Sequence, residues 1–301
     1  MRKRNFIAAV ITAVLAGTPA LSQPIVYTAT RAGTTVQRIT SFSSNFAYGT
    51  GLDNPGGIVF DASGNLYVTN STGGTISRVP PGGGAAVPFA SGFNSPTGMT
   101  LGPDGNLYVA NSGTNSVLRI GLGGGTPTLY ATGFSLPGGL AFGADGSLYV
   151  ANVTGANIGR VPPGGGAASV FATGFIDPFD VALDSSGNVY GTNRGGNNVL
   201  RVGPGGGVAS VFATGFNVPW GLQFDILGSG NLYVTNPGDA TVKLVGPTGG
   251  TAGTIAINVP SPGWMTMQVP EPSSLFLGSP LVGTWIAAIV QRRRNRTLQM
   301  E

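Results

Sequence analysis

A seven-residue phrase recurs through this chain at a nearly fixed interval. GNLYVTN at 64–70 returns as GNLYVAN at 105–111, GSLYVAN at 146–152, GNVYGTN at 187–193 and GNLYVTN at 230–236. A proline precedes each copy, at Pro55, Pro96, Pro137, Pro178 and Pro219, always 41 residues apart. A period near 40 belongs to propellers and solenoids, and the interior of the unit decides between them. The first unit holds four short β-rich runs, Gly57–Phe60, Leu66–Thr69, Thr75–Val79 and Ala86–Ala90. Turn-forming clusters separate them: Asp61 to Asn65, Ser71 to Gly74 and Pro80 to Gly84. Four short strands per unit make a propeller blade, so the expected class is all-β.

The two ends of the repeat region set the blade number. IVYTATRAGTTVQRI, ahead of the first full unit, matches the second and third runs, with Tyr27 at the place of Tyr67 and Arg38 at that of Arg78. Phe46 to Tyr48 supplies a fourth run. The missing first run appears after the fifth unit as Pro262-Gly263-Trp264-Met265-Thr266-Met267. Five whole blades and one split blade predict a six-bladed ring closed by pairing the chain's distant segments, which removes open sheet edges.

No Gly-His or Trp-Asp pair recurs, so WD repeats do not fit. The Pro-x-Gly-apolar start followed by Gly-Asn-Leu-Tyr-Val-x-Asn resembles the NHL-repeat and gluconolactonase-like propellers across the whole region 23–268. That resemblance implies a six-bladed propeller. It leaves function open, because such propellers host lyases, lactonases and binding proteins.

The segments flanking the propeller read as addresses. Arg2, Lys3 and Arg4, an apolar run from Phe6 to Ala16 and the small residues around Ala20-Leu21-Ser22 predict a signal peptide over 1–22. At the other end, Leu275 to Val290 is apolar, interrupted by Gly278 and Pro280, and arginines follow. Its 16 residues would reach about 24 Å as a helix, short of the ~30 Å hydrocarbon core. The order Val269, Pro270, Glu271, Pro272, Ser273, apolar run, then Arg292, Arg293 and Arg294 resembles the PEP-CTERM sorting segment, assigned to 269–301. The resemblance implies transient membrane insertion through 275–290 and processing by an exosortase-like membrane protease. It further implies delivery to the surface or extracellular matrix of a Gram-negative bacterium.

Charge and composition narrow the chemistry. Seven of the fifteen basic residues lie in those flanking segments, leaving eight against nine aspartates in the propeller. The high isoelectric point therefore gives no footprint for nucleic acid. The chain has no cysteine and no histidine, and residues 23–268 contain no glutamate. Ser-His-Asp and Cys-His catalysis are excluded, and with them the His-dependent lyases of this fold. The gluconolactonase-like resemblance implies a divalent metal held by Glu, Asn and Asp, and the Glu has no counterpart here.

Several repeated polar sets read as structural. Asn70, Asn111, Asn152, Asn193 and Asn236 end the second run of every full blade and are expected to form Asx-turns into the third, with Thr30 in the split blade. Arg38, Arg78, Arg119, Arg160 and Arg201 share one position and are expected to lie along a neighbouring blade, bonding carbonyls or turn aspartates. Asp61, Asp104, Asp145, Asp184 and Asp225 come one per hairpin and lack the alternating carboxylates of a calcium loop. The triple-glycine loops at 82–84, 123–125, 164–166 and 205–207 have no following Lys-Ser/Thr or helix and read as flexible hairpins.

In near-identical repeats the departures carry the information. Where other blades have small residues around Pro-x-Gly, the fourth has Phe179 and Asp180, the fifth Trp220, and the sixth Trp264 with Met265. Arg194 lies in the fourth blade's next loop. These are the candidate ligand-binding residues, expected to gather in one sector of a channel mouth, with Asp180 beside Arg194 and aromatics flanking a carbohydrate. The expected function is noncatalytic binding of exopolysaccharide or another exported protein. No cofactor is expected unless a divalent cation sits near Asp180. A metal-dependent lactonase or lyase is the alternative enzymatic reading, and a purely structural matrix component is the third.

Overall fold

A computed structural model describes residues 24–268 apart from 32, 42 and 43. The expected signal peptide (1–22) and sorting segment (269–301) lie outside the described residues. Pro24–Gln268 is a compact unit containing six antiparallel sheets of four main strands each. In blade 1 these strands are Pro55–Phe60, Leu66–Asn70, Thr75–Val79 and Val87–Ser91. Blade 4 uses Pro178–Leu183, Val189–Asn193, Asn198–Val202 and Ser210–Thr214. The expected strands are met within one or two residues.

Blade 6 is the split blade. Its first strand, Pro262–Gln268, pairs with Ile25–Thr30, which continues into Val36–Ser41 and Ser44–Thr50. Val26 faces Met267 and Tyr27 faces Thr266 across that junction. The first strands of successive blades pack on one another round the channel, and Pro262–Gln268 closes the circle against Pro55–Phe60. The ring therefore has six blades.

Strand alternation sends apolar side chains to both faces of each blade, and six apolar clusters result, one at every blade–blade interface. Tyr108, Val117 and Phe134 of blade 2, for instance, bury against Leu140, Leu148 and Val150 of blade 3. The motif tyrosine adds a directional contact. Tyr108 meets Tyr130 of its own blade and Phe142 of the next edge-on, with centroids 4.7 and 4.8 Å apart, the favoured aromatic geometry. Its hydroxyl donates to Asp104 at 2.9 Å, as Tyr190 does to Asp184 at 3.0 Å. Asp61, Asp104 and Asp184 thus serve both turn and tyrosine. Arg160 lies across from Tyr149 and bonds the turn aspartate Asp145 at 2.8 Å, and Arg119 approaches Asp104 at 4.0 Å, both within their own blade.

The repeated asparagines do structural work by a different route from the Asx-turn. The Asn70 Oδ1 accepts the Asp53 N–H, that of Asn111 accepts from Asn94, and that of Asn193 from Ile176, at 2.5–3.1 Å. Asn152 and Asn236 do the same for Ser135 and Asn217. Each clamps the loop that crosses in from the preceding blade. A threonine beside three of them staples forward: the Thr192 hydroxyl donates to the Trp220 carbonyl at 2.8 Å and that of Thr235 to the Gly263 carbonyl at 2.6 Å.

The Pro-x-Gly motif also has a packing reason. A Cβ on Gly98 would overlap the Gly138 carbonyl oxygen of the next blade, so the first strands approach more closely there than any side chain allows. The triple-glycine loops likewise pack against the neighbouring blade. Gly84–Ala85, Gly166–Ala167 and Gly207–Val208 add two-residue parallel strands to the outer edge of the preceding blade.

The residue before each blade's proline is left-handed: Asn54, Ser95, Leu136, Asp177, Val218 and Ser261 all have φ between 37° and 58°. Asparagine tolerates that region and a β-branched residue does not. Val218→Asn, which copies blade 1, is expected to stabilise the protein by about 1 kcal/mol and raise its melting temperature by roughly 2–4 °C. An unchanged or lower melting temperature would show that the strain is relieved elsewhere.

Candidate functional site

Pairing of Pro178 with Asn193 places the start of the first strand and the turn after the second at one end of the blade. The residue after the proline and the residue after the asparagine therefore meet around the same channel mouth in every blade. The first position reads Gly56, Thr97, Gly138, Phe179, Trp220 and Gly263 round the ring, and the second reads Ser71, Ser112, Val153, Arg194, Pro237 and Arg31. Blades 1 and 2 contribute small and hydroxyl side chains. Ser71 and Ser112 donate to the Pro96 and Pro137 carbonyls at 2.7 and 2.6 Å. Blade 3 contributes Gly138 and Val153, and blades 4 to 6 contribute the aromatics and arginines.

Val153, Phe179, Trp220 and Trp264 form one buried cluster, each at most 8 % exposed. Phe179 lies 3.8 Å from Trp220 and 4.8 Å from Trp264 between ring centroids, and the two indoles meet edge-to-face at 5.8 Å. Arg194 covers Phe179 and Trp220 at 4.3 and 4.6 Å, within cation–π range. It is held by Asp177, which accepts from Nε at 2.8 Å and Nη2 at 2.6 Å. Arg31 lies closer still to Trp220, with Cζ 3.5 Å from the ring centroid. Burial, and then the neighbouring Arg194 charge, hold its pKa below the usual guanidinium value. The indole N–H groups of Trp220 and Trp264 are buried without a hydrogen-bond partner.

Asp180 parts from this group. It does not pair with Arg194, whose carboxylate partner is Asp177. The Asp180 side chain fills the space left by Gly139, where any Cβ would collide with it. One carboxylate oxygen accepts the Val181 N–H at 2.9 Å and the other the Leu222 N–H of blade 5 at 3.0 Å. Asp180 thus stitches two first strands together. Among the described residues it is also the only ionisable group lining a channel cavity of about 370 Å³, whose walls include Ile58, Met99, Leu140, Leu222 and Trp264. Burial in this apolar lining pushes its pKa up to about 7, against the opposing pull of its two backbone hydrogen bonds.

The structure thus gathers four of the five sequence candidates, Phe179, Arg194, Trp220 and Trp264, and sends Asp180 to the channel wall. It adds Arg31 and Asp177, which sequence reasoning missed. Arg31 was findable, because it follows Thr30 as Arg194 follows Asn193. Both Asp180 oxygens already accept backbone N–H groups, and among the described residues no three His, Cys, Asp or Glu side chains lie together to hold an ion.

The fold and mouth define an all-β six-bladed propeller with an aromatic and basic sector at one end of its channel. Residues 11–244 match the virginiamycin B lyase family, and the chain belongs to that family. Among solved structures, a chain of the nidogen–laminin complex superposes with a TM-score of 0.70 at 17% identity, covering 81% of this chain and 98% of its own. Virginiamycin B lyase from Staphylococcus aureus gives 0.56 at 18% identity, covering 71% and 77% respectively. A catalytically inactive His-to-Ala variant of that enzyme with quinupristin gives 0.55 at 20% identity, covering 74% and 79%. These likenesses establish the fold. No curated protein matches the chain significantly.

Proposed function

We propose that this protein is an exported, noncatalytic member of its family that binds polysaccharide or another exported protein at its channel mouth. The carrying observation is the makeup of that mouth: arginine, tryptophan and phenylalanine bind, but none is a general base at neutral pH. Replacing one histidine leaves the Staphylococcus aureus lyase inactive, and this chain has no histidine at all. Of the nearby carboxylates, Asp177 is bound to Arg194 and Asp180 accepts two backbone N–H groups in the channel wall. The leader-like residues 1–22 and the PEP-CTERM-like residues 269–301 support export and sorting to the cell surface or matrix, with processing by an exosortase-like protease.

The test is incubation of the full chain with quinupristin in the presence of divalent cations, followed by mass spectrometry, with the Staphylococcus aureus enzyme as positive control. Quinupristin is expected to remain unchanged over a period in which the control consumes it completely. Conversion that is abolished by Asp180→Asn would restore the lyase reading and sink this one.

A further inference from the structure

Resting on the binding-module reading, the geometry points to a protein partner: we infer that the mouth takes an acidic side chain, aspartate or glutamate, flanked by aliphatic residues on a segment of another polypeptide. The first support is an uncompensated charge. Arg31 and Arg194 both lie against Trp220, yet among the described residues their only carboxylate is Asp177, bound to Arg194. No described carboxylate pairs with Arg31, whose guanidinium is half-buried beside a like charge. A planar guanidinium held by stacking presents its N–H fork already oriented for a carboxylate.

The second support is the pair of unpartnered, buried indole N–H groups on Trp220 and Trp264. Buried donors are nearly always satisfied, and a cluster with two guanidiniums and two free indole donors lacks acceptors. The third is what surrounds it. Leu136, Ile176 and Val218 stand on the loops crossing into blades 3, 4 and 5, at the same end as the mouth, and are 43%, 61% and 37% exposed. The equivalent residues of blades 1 and 2, just before or two before the proline, are Asn54, Ser95, Asp53 and Asn94. Exposed aliphatic side chains therefore accompany the basic sector and are missing from the polar one.

The same arrangement disfavours a sugar. Phe179, Trp220 and Trp264 are buried, and Trp220 is already covered by arginine, so none offers the bare aromatic face on which a pyranose ring would stack. A polypeptide supplies both missing parts together, a carboxylate for Arg31 and apolar side chains for Leu136, Ile176 and Val218.

The test is a display selection of random heptapeptides on the full chain. Binding of the enriched peptide and of hexagalacturonate would then be measured by tryptophan fluorescence. The expected result is enrichment of one Asp or Glu between aliphatic residues. Binding should weaken at least tenfold in Arg31→Gln, partly recover in Arg31→Lys, and weaken with salt. Unchanged melting temperatures for both variants would show that the loss is local. Enriched peptides without an acidic residue, or equal binding by Arg31→Gln, would overturn the inference. Arg31-dependent binding of hexagalacturonate as tight as that of the peptide would also overturn it, while leaving the binding module intact. Absence of any Trp220-dependent ligand would defeat the binding-module reading as well.

Discussion

Replacing residues 262–268 of the full chain by seven glycine and serine residues is expected to abolish its cooperative unfolding transition. That strand forms the whole first strand of blade 6 and carries Trp264, Met265 and Met267 into the interior, each 5–7 % exposed. Burying side chains of that kind stabilises a fold by about 1.5–3 kcal/mol apiece, so roughly 5–9 kcal/mol disappears. Domains as a class have only about 5–15 kcal/mol in total. The loss is compounded by the unpaired edge left on Ile25–Thr30, which has its other neighbour in Val36–Ser41 alone. Circular dichroism melting and limited proteolysis would read it. A sharp transition within a few degrees of the wild type would show that the split blade is not the clasp of the ring.

The second large effect is in the pH dependence of stability. Asp180 has its pKa raised from 3.8 to about 7 in the folded protein. In the unfolded chain it titrates near the ordinary aspartate value of about 3.9. Between these values the folded protein holds a proton that the unfolded chain has released, so folding is favoured at lower pH. The contribution is fully present below about pH 4 and is lost as pH rises through 7, a difference on the order of 4 kcal/mol. With no histidine in the chain, no other side chain with an ordinary pKa titrates between pH 5 and 8. The melting temperature should fall by roughly 8–15 °C across that window and its neighbours. In Asp180→Asn and in Asp180→Gly, which restores the glycine of blades 1, 2, 3 and 5, the profile should be flat whatever the absolute stability. A slope that survives both substitutions would locate the titration elsewhere.

Those two predictions draw on different depths of information. The clasp was legible in the sequence, because Tyr27, Arg38 and the Pro262–Met267 run each carry the local signature of one strand position. Blade number, strand order and the gathering of Phe179, Trp220 and Trp264 follow from the same alignment of repeats. What resisted reading was which polar group each polar side chain would find. Asn193 looks like a local turn former, yet its acceptor serves Ile176, 17 residues earlier in the crossing loop. Asp180 and Arg194 looked like an ion pair because they share a blade and an end. The space beside Gly139 and the N–H of Leu222 draw the carboxylate away, and Asp177 takes the arginine. Arg31 stood within reach of the same alignment, since Thr30 holds the place of the other blades' asparagines and Arg31 follows it as Arg194 follows Asn193.

The two-residue strands borrowed from the following blade bear on how the molecule avoids associating with itself. An outer strand with free N–H and C=O groups invites another chain to extend the sheet, and proteins shield such edges. Blades 2, 3, 4 and 6 have part of theirs capped by the borrowed fragment. Blade 1 instead carries Pro88 within its outer strand, which removes a donor, and blade 5 ends in the four-residue strand Gly253–Ala256. Six outward-facing edges are thus protected in three ways, which lets the ring accumulate at high local concentration without stacking into sheets.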